Sequence, residues 1–149
     1  MPHLVILYTP SLDRAPEQVG CDMTALCRAL VDTMLRITDE AGKQVFPTGG
    51  VRVLAYPAAH SAVADGGAAD RANGGDGDYA FVYLNLRMGR GRPEAVRRKA
   101  GDALAATAKS FFEPLMSRRR LGLTLQIDEG PEVFDAKLGN LHPLFSKAP

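Results

Sequence analysis

The chain has 149 residues, 46% of them hydrophobic and 23% charged, which suits one domain with a buried core and excludes a globally disordered chain. Eighteen Lys and Arg against seventeen Asp and Glu give a net charge of +1, which argues against a protein dedicated to nucleic acid or to a polybasic membrane contact. No apolar run approaches the ~18 residues of a membrane span, and the N-terminus lacks the basic and apolar pattern of a signal peptide.

The first half of the chain predicts a strand, a helix and a second strand. The runs 3–9 and 51–56 are short, apolar and followed by proline, which is typical of buried strands. Between them, 22–39 predicts a helix with Asp22 as its N-cap, because apolar residues recur at helical spacing. The residues of this stripe are Leu26, Leu30, Met34 and Ile37.

The second half repeats this order after a long connection. The segment 60–78 contains five Gly and four Asp and predicts a loop. Then 79–88 predicts a strand, a helix opens at Pro93 and runs to about Ser117, and 121–127 alternates as a strand does. The helix stripe consists of Val96, Ala100, Leu104, Ala108, Phe111 and Leu115. Two β-α-β units in series predict an α/β (α+β) fold, with a mixed four-stranded sheet and two helices on one face.

The predicted strand at 79–88 is apolar on both faces. Alternate residues from Ala80 to Met88 suit packing under the helices, whereas Tyr79, Phe81 and Tyr83 point to the other face. If both helices cover one face, we expect another subunit to cover the second face. Apolar residues in the tail at about 130–149 are suited to docking on a neighbour. The pattern therefore predicts a homo-oligomer without fixing its number.

The small net charge hides a local excess of positive charge. From Arg87 to Arg120 there are ten Lys and Arg and three acids, giving +7, whereas the remaining eight basic and fourteen acidic residues give −6. Within this stretch, 88–94 joins a strand to a helix N-terminus through two glycines, and Arg90 and Arg92 add guanidinium groups that suit carboxylates or phosphates. The junction is a candidate anion site, although it is neither a dinucleotide fingerprint nor a P-loop. A solvated arginine-rich turn fits the pattern alone slightly better.

Two other residues suggest chemistry only weakly when taken alone. Removal of Met1 would leave Pro2 with a free secondary amine, whose pKa would be lowered by apolar neighbours and guanidinium groups toward that of a general base. Many chains nevertheless begin Met-Pro with no such role. Arg52 lies among apolar strand residues, where it either faces solvent or is paired.

The remaining candidates are predicted to be structural. The three histidines are scattered and form no metal-ligand spacing, so no metal site is predicted. Cys21 and Cys27 are not a CxxC pair and are interpreted as reduced, inert thiols of a cytoplasmic protein. The arginines at 118–120 are expected to end the second helix, where cations suit the helix dipole, rather than to bind nucleic acid. We therefore expect one cytoplasmic domain over 1–149.

Five segments carry a resemblance to a known family. They are MPHLVI at 1–6, VFPTGGVR at 45–52, DYAFVYLNLRMGRGR at 78–92, FFEPLMSRRRL at 111–121 and FDAKLGNLHPLF at 134–145. In this order, over nearly the whole chain, they resemble the 5-carboxymethyl-2-hydroxymuconate isomerase family of the tautomerase superfamily, which uses an N-terminal proline.

The resemblance implies a cytoplasmic homotrimer with active sites at subunit interfaces and with no metal or organic cofactor. It implies an isomerase that ketonises a dienol of an unsaturated polycarboxylate, in the degradation of homoprotocatechuate-type aromatic acids. By position, Pro2 matches the general base of the family. Arg52 and Arg92 match arginines that bind substrate carboxylates and stabilise oxyanion charge. The implied partner is a small carboxylate, with no nucleic acid and no membrane.

Three differences from the family leave the particular substrate open. Leu7 stands where close members carry Glu, Leu54 stands where a second arginine often follows, and the 60–78 loop is long and rich in Gly and Asp. A smaller or less charged acid would also fit. The same base and arginines would suit decarboxylation or hydration of an unsaturated acid. A non-catalytic trimeric binding protein of the same fold is the alternative outside enzymes.

Overall fold

One mixed four-stranded sheet organises the computed structural model, which describes residues 2–145, with the backbone only for His142 and Pro143. The strand order is β2-β1-β3-β4, with β1 parallel to β2, antiparallel to β3, and β3 parallel to β4. The strands are β1 His3–Tyr8, β2 Arg52–Pro57, β3 Tyr79–Gly89 and β4 Arg120–Gly130. The predicted sheet of two β-α-β units is therefore confirmed.

Two long helices pack on the sheet, and a third helix is short. They are α1 Met23–Arg36, α2 Ala68–Ala72 and α3 Glu94–Met116. Asp22 caps α1 as predicted, because its carboxylate accepts hydrogen bonds of 2.9 and 3.0 Å from backbone N–H groups of the first turn. The predicted apolar stripe of α1 is buried along its whole length. No helix in the described range 2–145 is long and apolar enough to cross a membrane.

The core lies between these helices and one face of the sheet. Alternate residues of β3 from Ala80 to Met88 are at most 1% exposed, as the alternation predicted. One position of α3 differs from the prediction, since Phe112 rather than Phe111 is fully buried. Phe112 follows Ala108 by four residues and so continues the helical stripe. Phe111 is half-buried beside it, edge to face, with ring centroids 5.1 Å apart.

The connection predicted as a loop at 60–78 contains α2 and is held by a buried carboxylate. Asp70 is 7% exposed and accepts hydrogen bonds from Arg120 Nε at 2.7 Å and from the Gly77 backbone at 3.0 Å. The backbone N–H of Asp70 bonds to the Tyr79 hydroxyl at 3.2 Å. Dense Asp and Gly favour such local carboxylate contacts and left-handed turns, which fold the segment on itself. The connection is thus an ordered cap at one end of the sheet.

Replacing Asp70 by Asn is expected to weaken this anchor near neutral pH. The bond from Arg120 and that from the Gly77 backbone hold the pKa of Asp70 below its ordinary value. A carboxyl with a lowered folded-state pKa stabilises the fold above its unfolded pKa, and this contribution is lost as the pH falls through the folded-state pKa. Urea unfolding at pH 7 and below about pH 4 measures the effect.

In that experiment Asp70→Asn is expected to lower the free energy of unfolding at pH 7. It should also reduce the difference between the free energies of unfolding measured at the two pH values. Asp76→Asn is the control, since Asp76 is an exposed carboxylate of the same connection whose one side-chain hydrogen bond within residues 2–145 comes from the nearby Asp78 backbone. If the stability of Asp70→Asn fell with decreasing pH as much as that of the wild type, Asp70 would not be the stabilising carboxylate.

Arg119 ties the end of α3 to the segment after β1. Its side chain is 3% exposed and pairs with Asp78 at 3.0 Å. It also donates to the Val19 backbone oxygen and to the Ser11 hydroxyl, both at 2.9 Å. The predicted role of the arginines at 118–120 at the helix dipole was wrong, because α3 ends at Met116 with no basic residue in its last turn. Arg119 instead makes buried contacts, and Arg120 opens β4 and pairs with Asp70.

The open face, meaning the sheet face opposite the helices, carries exposed apolar side chains. Those of Leu7, Leu54, Tyr56 and Phe81 are 36–49% exposed. The tail at 131–141 is also exposed, with Val133, Phe134 and Leu138 at 87–102%. Clustered exposed apolar side chains of this kind are typical of surfaces that contact another protein.

Candidate active site

Pro2 lies immediately before β1, the strand that runs between β2 and β3. It is buried, and the next residue, His3, pairs with Arg52 on β2 and with Arg87 on β3. A Cβ atom placed on Gly50 would lie 3.7 Å from Cδ of Pro2, so the turn Thr48–Gly50 packs against the pyrrolidine ring. Met1, whose expected removal would free the amine, lies outside the described residues.

Arg52 turns its guanidinium back toward that same turn. Its Nη1 donates to the backbone oxygens of Gly49 and Val51, both at 2.8 Å, and the residue is half-buried. Neither Nη2 nor Nε makes a hydrogen bond within the described residues, so these donors remain for a bound anion. The two carbonyl contacts hold the guanidinium against the segment that also packs on Pro2.

Arg92 reaches the same edge of the sheet from the loop after β3. Its Nη1 donates to the Gly89 backbone oxygen at 3.1 Å, and its guanidinium carbon lies 5.3 Å from the centroid of the Phe46 ring. Of the two loop glycines, only Gly91 adopts a left-handed backbone, with φ of 101°. Arg90, the other candidate in this loop, is exposed, so the structure separates the two arginines.

The segment 46–51 contacts all three predicted site residues. Phe46 lies under Arg92, Gly50 lies against Pro2, and the carbonyls of Gly49 and Val51 hold Arg52. The sequence reasoning did not single out Phe46, although VFPTGGVR was among the segments that carried the resemblance. The contact of a buried ring with a distant guanidinium has no local signal in the sequence.

Arginines of two strands lie at this edge, and the carboxylate of Asp135 lies near His3. Arg87 shares a row of the open face with His3 and Arg52, and it was counted in the basic stretch but not predicted as a site residue. Partial desolvation, with help from the nearby Arg52 charge, lowers the pKa of His3. Neutral pH therefore leaves His3 uncharged, and the positive field comes from guanidinium groups.

The cysteines fit their predicted inert role. Cys21 and Cys27 are free and half-buried, and desolvation raises the pKa of both thiols, that of Cys21 to about 11. At neutral pH they are thiols rather than reactive thiolates.

A cavity of about 580 Å³ lies at the other end of the sheet. It is lined by Tyr79, Phe81 and the paired Asp70 and Arg120, and it includes none of Pro2, Arg52 and Arg92. At the candidate site, the backbone turn His142–Phe145 lies beside the turn Thr48–Gly50.

Comparison with known proteins decides the family. A family model for 5-carboxymethyl-2-hydroxymuconate isomerase matches residues 2–145. The chain belongs to the 5-carboxymethyl-2-hydroxymuconate isomerase family. A solved 5-carboxymethyl-2-hydroxymuconate delta-isomerase is 60% identical, covering 100% of this chain and 95% of that one with a TM-score of 0.93.

Two further members of the 5-carboxymethyl-2-hydroxymuconate isomerase family are more distant. The solved isomerase from Deinococcus radiodurans R1 is 32% identical, covers 98% of this chain and 95% of that one, and has a TM-score of 0.75. The Delta-isomerase of Escherichia coli is 32% identical over 105 residues, which are 70% of this chain and 76% of that protein. Family membership makes this chain an isomerase with the tautomerase fold, as the resemblance implied. The roles of Pro2, Arg52 and Arg92 stay predictions.

Proposed function

We propose that this isomerase ketonises a dienol of an unsaturated hydroxy-polycarboxylate of the 5-carboxymethyl-2-hydroxymuconate type. The observation that carries the proposal is the contact of the one segment 46–51 with Pro2, Arg52 and Arg92. A base and two guanidinium groups held around one turn suit a substrate with a proton to move and carboxylates to bind. The names of the relatives support the same substrate class.

In the proposed reaction, the Pro2 nitrogen moves one proton. After removal of Met1, it accepts the proton of the enol hydroxyl while a carbonyl forms and the double bonds shift along the chain. The proton then goes to the carbon at the far end of the shifted system, so the product is an isomer of the substrate. Burial and the guanidinium groups favour the neutral amine, whose unperturbed pKa would be ~7.7–8.0.

The two arginines bind and orient the substrate in this proposal. Arg52 offers Nη2 and Nε, while Arg92 is held by the Gly89 carbonyl and the Phe46 ring. Guanidinium groups form paired, charge-assisted hydrogen bonds with carboxylates. The one nearer the enol oxygen also stabilises the negative charge that develops there.

Replacing Arg92 by Ala is expected to raise KM about 10- to 100-fold with a smaller change in kcat, because a charge-assisted contact to a carboxylate contributes about 1.5–3 kcal/mol. Steady-state kinetics by ultraviolet absorbance measure the effect. Arg90→Ala is the matched control, since Arg90 is an exposed arginine of the same loop. A fall in kcat at unchanged KM would assign Arg92 to the transition state rather than to binding.

The proposed function is tested by ultraviolet turnover of 5-carboxymethyl-2-hydroxymuconate and of 2-hydroxymuconate. Intact mass must first establish that Met1 is absent, because a blocked nitrogen is no base. We expect the dienol absorbance to convert to that of the conjugated ketone faster than in buffer. Absence of acceleration with both dienols would overturn the proposal, and release of carbon dioxide would favour a decarboxylase.

We infer further that three copies assemble and complete the site. The open face and the exposed tail at 131–141 supply apolar surface for such contacts. Light scattering should give three times the 16.0 kDa chain mass. A monomer mass in an active preparation would contradict an interface-built site.

In the proposed function, residues 1–149 form one cytoplasmic domain with no metal, organic cofactor, nucleic acid or membrane partner.

A further inference from the structure

We propose that Phe46 is a positioning residue, whose ring sets the place of the Arg92 guanidinium relative to Pro2. This inference rests on the proposed function, because it concerns how the substrate's carboxylate is held. Phe46 itself is fully buried, so its ring is not exposed to a bound substrate. Its effect on the reaction passes through Arg92.

The two contacts of Arg92 constrain different directions. The hydrogen bond from Nη1 to the Gly89 oxygen, at 3.1 Å, fixes one edge of the guanidinium. The Phe46 ring, 5.3 Å from the guanidinium carbon, limits movement on one side and attracts the cation through its negative face. A long arginine side chain held only at one edge would swing about that bond. The ring is therefore the second contact that sets the direction of the guanidinium edge that does not bond to Gly89.

Phe46 is itself fixed to the body of the fold. Gln44 Nε2 donates to the Phe46 backbone oxygen at 2.8 Å, and the Val45 backbone N–H donates to the Ile37 oxygen at 2.9 Å. Ile37 is the C-cap of α1, so the ring is anchored to the end of a packed helix.

The same short segment then reaches the base. Four residues after Phe46, Gly50 packs against the Pro2 ring. The separation between the proposed base and the proposed carboxylate ligand is thus set by a few bonded residues with a buried anchor. If Arg92 moved, the substrate carboxylate that it holds would move relative to Pro2. Small displacements of this kind reduce reaction rates strongly.

The test replaces Phe46 by Leu and compares it with Phe112→Leu. Phe112 is also a fully buried phenylalanine of the core, but it lies on α3 in contact with Phe111. We expect Phe46→Leu to lower kcat/KM about tenfold, mostly through KM, because an Arg92 without the cation–π contact is held less firmly and binds the carboxylate less well. Phe112→Leu should leave kcat/KM within about twofold at a similar loss of stability.

A double-mutant comparison separates positioning from general packing. In the Arg92→Ala background, Phe46→Leu should cause no further loss of kcat/KM, because the group through which it acts is gone. An equal fold-loss in both backgrounds would overturn the proposal, as would unchanged kinetics in Phe46→Leu. If Phe46→Leu does not fold, Phe46→Met also removes the ring, and its unbranched, flexible side chain fills the space more readily. Failure of the wild type to turn over either dienol would instead reject the proposed function.

Discussion

Pro2→Ala is expected to lower kcat for the dienol by about 100-fold or more. A positioned general base typically contributes 10²–10⁴-fold, and alanine replaces a secondary amine held in a ring by a freely rotating primary amine. Pro2 precedes β1, so the sheet register from His3 onward should survive the change. Ultraviolet turnover at saturating substrate measures the effect, with intact mass confirming that Met1 is absent from both proteins.

Pro10→Ala provides the matched control for this experiment. Pro10 is exposed and opens the short turn after β1, at the end of that strand remote from Pro2. The control should retain wild-type kcat. Equal rates for Pro2→Ala and wild type would remove Pro2 as the base, whatever the fold.

Arg119→Met is expected to lower the free energy of unfolding by about 2–3 kcal/mol. The substitution removes a buried cation that pairs with Asp78 and bonds to Val19 and Ser11, and it leaves a buried carbonyl without its donor. The buried Nε of Arg119 has no partner among the described residues, which reduces the net gain from the wild-type arrangement. Urea unfolding at one fixed protein concentration is the appropriate measurement, because an oligomer's apparent stability depends on concentration.

Arg118→Met controls for the loss of one charge from the same run. Arg118 is exposed, and the one hydrogen bond of its side chain within the described residues is a long one of 3.5 Å to the Pro16 oxygen. Its replacement should change stability by less than about 0.5 kcal/mol. Equal losses in the two variants would assign the effect to net charge rather than to the buried contacts.

Most of the secondary structure could be predicted from periodicity, because one face of each element is buried. Alternation in β3 identified its inward residues, and the stripe of α1 was buried as predicted. The error at Phe111 arose where two phenylalanines are adjacent. Both are apolar, and each lies three or four residues from Ala108 and from Leu115, so helical spacing admits either one.

Which residues meet at the candidate site depends on the register of the strands. The sequence pattern alone does not determine that register. His3 opposite both Arg52 and Arg87 places the start of β1 between two arginine-bearing strands. The family resemblance had named Pro2, Arg52 and Arg92, but it did not give the contacts of 46–51. Likewise, Asp70 and Arg120 are fifty residues apart, and no local pattern pairs them.

The turn Thr48–Gly50 has a practical consequence for labelling this protein. Pro2 packs on Gly50, and the backbone turn His142–Phe145 lies beside the same residues, so the two ends of the described chain meet there. A purification tag left at the N-terminus would convert the Pro2 amine into an amide. A tag at the C-terminus would crowd the same turn. The exposed residues at 61–62 lie in the connection that caps the other end of the sheet, so an epitope or fluorophore inserted there would leave both ends untouched.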